Sequence, residues 1–199
     1  MRWAALPQKR RARRRQPRAS AEKHRERAPG DQSLWLGEEF SKRRNWIDLL
    51  RGLAGGYAVT LGVRVAEHSP DGPARLHVLL AVAGICLVGV ASQTLRFEGK
   101  VAFYPPIFFI GGLAFALVGW KAAFFAFVAV WAINLALPSA AVFLFCYAGV
   151  VLILGIMFRA PTVMAGLAAG LALVPVLAAL LSRRRLMAQF GRKAKFINR

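Results

Sequence analysis

At 199 residues the chain is one domain by length, but its 57% hydrophobic content and positive mean hydropathy exceed what a soluble domain carries, so lipid is its expected solvent. A formal charge of +19, from 28 Lys+Arg against 9 Asp+Glu, ordinarily raises nucleic acid as a partner. Here 11 of the basic residues lie in 1–27 and 7 in 183–199, so the charge flanks an apolar block, as at the cytoplasmic side of a membrane protein, and argues against nucleic acid.

Residues 1–40 are rich in Arg, Ala and Pro with no sustained apolar period, which predicts a disordered basic cytoplasmic tail. Such a leader also arises from a start codon assigned too far upstream; the chain would then begin near "SLWLGEEFSKRRNW". The following 41–182 divide into lengths suited to a hydrocarbon core about 30 Å thick, which takes about 20 helical residues to cross. The expected spans are 46–66, 76–95, 101–119, 122–137, 139–158 and 161–181. Basic clusters at both termini place both on the cytoplasmic side and require an even number of crossings. The fold class is thus expected to be all-α: a polytopic helical membrane protein of about six transmembrane helices in the cell inner membrane, both termini cytoplasmic. The 122–137 segment is short; if it is re-entrant, four spans remain.

In the first span a helical wheel places Asp48, Arg51, Gly52, Gly55 and Gly62 on one face about 100° wide. Asp48 and Arg51, one turn apart, are expected to form an intramembrane polar pair. Gly52, Gly55 and Gly62 are expected to admit a neighbouring helix, and Gly55→Leu to disturb assembly more than Arg64→Ala. Proline positions fit helix starts and turns at Pro105, Pro106, Pro138 and Pro161, while Pro175 predicts a kink in the sixth span. "PIFFIGGLAFALVG" (106–119) and "PTVMAGLAAGLALV" (161–174) share a Pro and Gly spacing that suggests an inverted repeat.

The last acidic residue is Glu98 and the last histidine His77, so residues 99–199 carry no carboxylate side chain and no imidazole. That half supplies no Asp/Glu proton relay, no His-based metal site and no acid/base pair. No catalytic motif is present, and no cofactor or metal is expected. Glu67, His68, Asp71 and His77 gather near the first external loop without metal-ligand spacing. Cys86 and Cys146 sit in apolar runs as small hydrophobes.

The tail 183–199 alternates Leu186, Phe190, Ala194 and Ile197 with Arg183, Arg184, Arg185, Arg192, Lys193 and Lys195. It predicts a basic amphipathic segment on the inner leaflet, each cation worth about 1 kcal/mol against an anionic surface. Anionic head groups are the expected partner, with a membrane protein or a second copy as further possibilities.

"DLLRGLA" (48–54) is similar to the opening of the first span in membrane acyltransferases, which implies a catalytic histidine soon after, here His68. "LLRGLAGGYAVTLGV" (49–63) and "WAINLALPSAAVFLFCYAGVVLILGIMF" (131–158) resemble the small-rich helix, Pro turn and helix of six-span HdeD-type acid-resistance membrane proteins. The expected function is a non-enzymatic structural, accessory or stress-related role. The alternatives are a small transporter or channel, favoured by a water-accessible cavity lined by Arg51 and Asn134, and a membrane transferase, which needs His68 or Glu98 in a cleft.

Overall fold

The structure is a computed structural model, in which residues 34, 36–67, 72–97, 101–182 and 186 are described. Its helices in chain order are α1 (Leu36–Ser41), α2 (Arg43–Glu67), α3 (Gly72–Thr94), α4 (Ile107–Leu117), α5 (Trp120–Ile133), α6 (Ala140–Met157) and α7 (Thr162–Leu181). A short antiparallel ribbon, β1 (Leu95–Phe97) with β2 (Val101–Phe103), lies between α3 and α4, and a 3-10 turn at Asn134–Ala136 ends α5.

Among the described residues three stretches are long and apolar enough to cross a membrane: Leu76–Thr94, Ala140–Met157 and Thr162–Leu181. Around them the outward faces carry Leu50, Leu61, Leu80, Ile85, Phe145, Ile153 and Leu180, all exposed. Soluble proteins rarely display apolar surface on that scale, so lipid covers these faces and the chain is a membrane protein. α2 is the longest helix at 25 residues, but Arg43, Arg44, Asp48, Arg51, Arg64 and Glu67 interrupt its apolar character.

Local chemistry sets the helix limits. Ser139 caps α6, its hydroxyl accepting from the Val142 N–H at 3.4 Å. Pro106 and Pro161 stand immediately before α4 and α7, where a missing N–H costs little. Between α4 and α5 the chain reverses at Gly119, whose φ of 84° suits a residue without Cβ. α6 ends on a left-handed Arg159 (φ 61°), with the Ala160 N–H donating back to the Gly155 carbonyl at 2.9 Å. A glycine is the usual occupant of that position. Arg159→Gly is expected to raise the unfolding free energy by about 1 kcal/mol, seen as a higher melting temperature in detergent; a lower one would show that the arginine side chain holds the turn.

The helices alternate between two ends. At one, the Asn134 side chain meets Leu34, Tyr104 N–H donates to the Thr94 carbonyl at 2.9 Å, and Phe103 bridges to Leu186. At the other, Val118, Gly155 and Ala165 converge, and Phe125 stacks on Phe158 with ring centroids 5.9 Å apart. Leu34 and Leu186 therefore share one end. α7 runs on through the buried Pro175 to Leu181.

Two boundaries differ from expectation. The segment 101–119 is not one helix: Val101–Phe103 pairs with Leu95–Phe97, Pro105 and Pro106 have no N–H to extend a helix upstream, and α4 has 11 residues. That is about 16 Å at 1.5 Å per residue, roughly half a hydrocarbon core. Residues 36–40, assigned to the tail, form α1 together with Ser41 because Leu34 and Phe40 have apolar partners in the bundle. Residues 1–33 lie outside the described residues.

Candidate functional site

The polar end shared by Leu34 and Leu186 holds most of the hydrogen-bonding side chains of the described interior. α1 turns into α2 through Lys42, whose ammonium lies 2.6 Å from Glu39 Oε1 and 3.6 Å from Glu38. Asn45 Nδ2 donates to the Glu39 carbonyl and to its Oε2, both at 2.8 Å. The Trp46 indole N–H donates to the Phe40 carbonyl at 2.8 Å. These bonds fold α1 back against α2.

Folded back, α1 sets Phe40 among Trp46, Phe108, Phe127 and Trp131, with ring centroids 5.8, 5.2, 6.0 and 5.1 Å away. Edge-to-face pairs of this kind add about 0.5–1.5 kcal/mol each beyond area burial. The ring cluster continues inward from Trp131 to Phe143 (4.9 Å) and from Phe127 to Tyr147 (6.4 Å). Three residues after Trp131, the buried Asn134 donates from Nδ2 to the Leu34 carbonyl at 2.5 Å, tying the start of the described chain to the end of α5. Asn134 Oδ1, the Trp131 indole N–H and the Tyr147 hydroxyl are buried without a hydrogen-bond partner among the described residues.

Beside α1 lies a small cleft of about 40 Å³, lined by Glu39, Asn45, Asp48, Gln93, Tyr104 and residues 105–109, among others. It holds a few waters or a small ion at most. Its two carboxylates are already engaged, Glu39 by Lys42 and Asn45, and Asp48 by Arg51 at 3.4 Å and Arg44 at 3.8 Å. No group of three or more His, Cys, Asp or Glu suited to a metal occurs among the described residues. Cys86 and Cys146 are free.

The expected site residues separate into two sets. Asp48 and Arg51 do sit together, the carboxylate largely covered and the guanidinium exposed. Gly52 is buried against α4: a Cβ there would collide with the Phe109 carbonyl and lie 3.1 Å from Leu113 N. Gly55 and Gly62 have open space around them and face outward. The residue that closes the contact is Gly56, where a Cβ would lie 2.6 Å from that of Ala116. Its counterpart on α4 is Gly112, which a Cβ would drive into the Leu49 carbonyl and to 2.7 Å from Leu53 N. Positions advance together on the two helices, so α2 and α4 run parallel, and they share the most extensive packing of any helix pair.

The physical reason is that backbone approach, not polarity, selects the seam. Gly52 and Gly56 are spaced four apart and stack on one line of the helix. Gly55 lies about 60° from Gly52 and 100° from Gly56, on the flank with Arg51. Gly56, Gly112, Leu34 and Phe40 were thus missed from sequence; "GLAGG" (52–56) and the paired glycines of "FFIGGL" (108–113) were the available signals.

Arg51 and Asn134 share no cavity: Arg51 is exposed on α2, and Asn134 is buried against Leu34. His77 is exposed on α3. The basic residues Arg183, Arg184, Arg185, Arg192, Lys193 and Lys195, with His68, Asp71 and Glu98, lie outside the described residues. Leu186 is buried and pairs in extended fashion with Phe103. No family model matches the chain, and no curated protein or solved structure matches it either.

Proposed function

We propose that the chain is a six-crossing protein of the cell inner membrane, both termini cytoplasmic, with a non-enzymatic structural, accessory or stress-related role. The observation that carries this reading is the filled interior. Phe40, Phe108, Phe127, Trp131, Phe143 and Tyr147 occupy the space between α2, α4, α5 and α6 where a transport path would need polar, open volume. The cleft of about 40 Å³ stops at one end of the bundle.

Six crossings are supported by the alternation of α2–α7 between two ends, with Leu34 and Leu186 at the same one. α4 completes its crossing with help from the non-helical residues 104–106 that precede it. The positive-inside bias makes the Leu34 end cytoplasmic, where the basic tails would meet anionic head groups and a membrane-protein partner or second copy.

Single cysteines at positions 121 and 159 are expected to react with an impermeant thiol reagent from outside intact cells, and a cysteine at position 138 only after permeabilisation. Reversal of that pattern would overturn the orientation. For the role, the purified protein in liposomes is expected to give no solute or ion flux, while a deletion strain shows an envelope or stress phenotype restored by the full chain. Flux that is lost on substituting Asn134 would replace this reading with transport.

A further inference from the structure

The flank of α2 turned away from α4 joins charge and smoothness in one line. At 100° per residue, Arg44, Asp48, Arg51, Gly55, Ala58 and Gly62 fall within about 80° of one another. All but Asp48 are exposed, and both glycines have open space where a side chain would stand. Two guanidiniums bracket the single carboxylate, Arg44 Nε at 3.8 Å and Arg51 Nη1 at 3.4 Å. Both distances exceed the 2.7–2.9 Å of a saturated charge-assisted bond, roughly speaking, and each guanidinium has further N–H donors beyond those facing Asp48. Two cations against one anion leave this cluster with a positive charge.

We infer that this flank is a binding site for one anionic phospholipid, its phosphate held by Arg44 and Arg51 and an acyl chain lying along Gly55, Ala58 and Gly62. Side chains on a helix tilt toward its N-terminus, so Arg51 reaches back toward the head-group level rather than into hydrocarbon. Below it, three small residues at three- and four-residue spacing leave a shallow trough on a helix that elsewhere exposes the large Leu50, Tyr57 and Leu61. A cationic clamp above a smooth apolar trough has the two-part chemistry of an anionic amphiphile. A second copy of α2 docked in parallel would instead bring arginines against arginines. The inference rests on the membrane embedding and not on the accessory role.

Native mass spectrometry of the full chain, challenged with phosphatidylglycerol and with phosphatidylcholine, tests it. The wild type is expected to retain one phosphatidylglycerol most tightly. Arg51→Gln should weaken that lipid roughly fivefold, the equivalent of about 1 kcal/mol per cation, with phosphatidylcholine unchanged. Asp48→Asn should tighten it by a similar factor, because the competing negative charge is gone. Gly55→Phe fills the trough without altering charge; it should weaken phosphatidylglycerol while leaving the response to glycerol phosphate unchanged. Equal retention by wild type, Arg51→Gln and Gly55→Phe would overturn the site. So would a wild-type dimer that Gly55→Phe converts to monomer, which would make the flank a helix-packing face. All three positions tested for loss or gain lie outside the glycine seam with α4, so the variants keep the fold, checked by their melting temperatures.

Discussion

Gly52→Leu is expected to lower the unfolding free energy by about 3 kcal/mol, the upper part of the range for forcing extra atoms into a packed contact, whereas Gly55→Leu, three residues on, is expected to change it by less than about 0.5 kcal/mol. At Gly52 the first added carbon already collides with the Phe109 carbonyl, and the facing Gly112 has its own backbone contact with Leu49 and Leu53. Neither obstacle is a flexible side chain, so relief requires the two helices to separate. Separation would also loosen Gly56 from Ala116 and Leu113. At Gly55 an added Cβ meets nothing within 4 Å. Fluorescence-detected melting in mild detergent compares the two variants directly, and equal melting temperatures would show that the α2–α4 seam is not a principal contact of the fold. Gly112→Leu should behave like Gly52→Leu, and the pair combined should cost less than the sum, because either one alone already opens the seam.

The second large effect is expected at Phe40. Replacing it by alanine removes a ring from the centre of four others, and truncations of buried Phe cost about 3–5 kcal/mol. Phe40 is only partly buried, so about 2 kcal/mol is the expected loss on that scale. The loss should fall on α1, whose six residues have no independent stability. Hydrogen exchange is expected to show amides of 36–41 unprotected in Phe40→Ala while those of α6 and α7 stay protected. Asn134→Ala should act in the same direction by leaving the buried Leu34 carbonyl unpaired, at about 1–3 kcal/mol. If α1 keeps its protection in both variants, the segment is held by something other than the aromatic cage and the Asn134 bond.

Both effects turn on residues whose roles were unequally legible in the sequence. Apolar length located α3, α6 and α7, since a run such as Ala140–Met157 has one reading in a chain of this composition. The same criterion failed at 101–119, because "VAFYPPIFF" is as apolar as a span while its two prolines forbid one. The ribbon was hidden for a related reason: three paired residues per strand carry too little alternation to register. α1 is shorter than two helical turns, so "LGEEFS" shows no periodicity, and its anchor at Asn134 is 100 residues away. In α2 the polar stripe was legible and the seam was not. Asp48 and Arg51 drew attention to one flank, while Gly52 and Gly56 turn toward α4 about a quarter turn away.

The parallel pairing of α2 with α4 also sets a timetable. Gly52 is synthesised about 60 residues before Gly112, and Leu34 emerges 100 residues before the asparagine that holds its carbonyl. At about 5–20 residues per second, α2 waits roughly 3–12 s with its glycine groove empty, and α1 waits roughly 5–20 s before its socket exists. During that interval the groove offers any passing helix the same close backbone approach that α4 later takes. α2 is thus open to mispairing until α4 has been made, and the order of synthesis bears on the yield of folded protein as well as the final packing does.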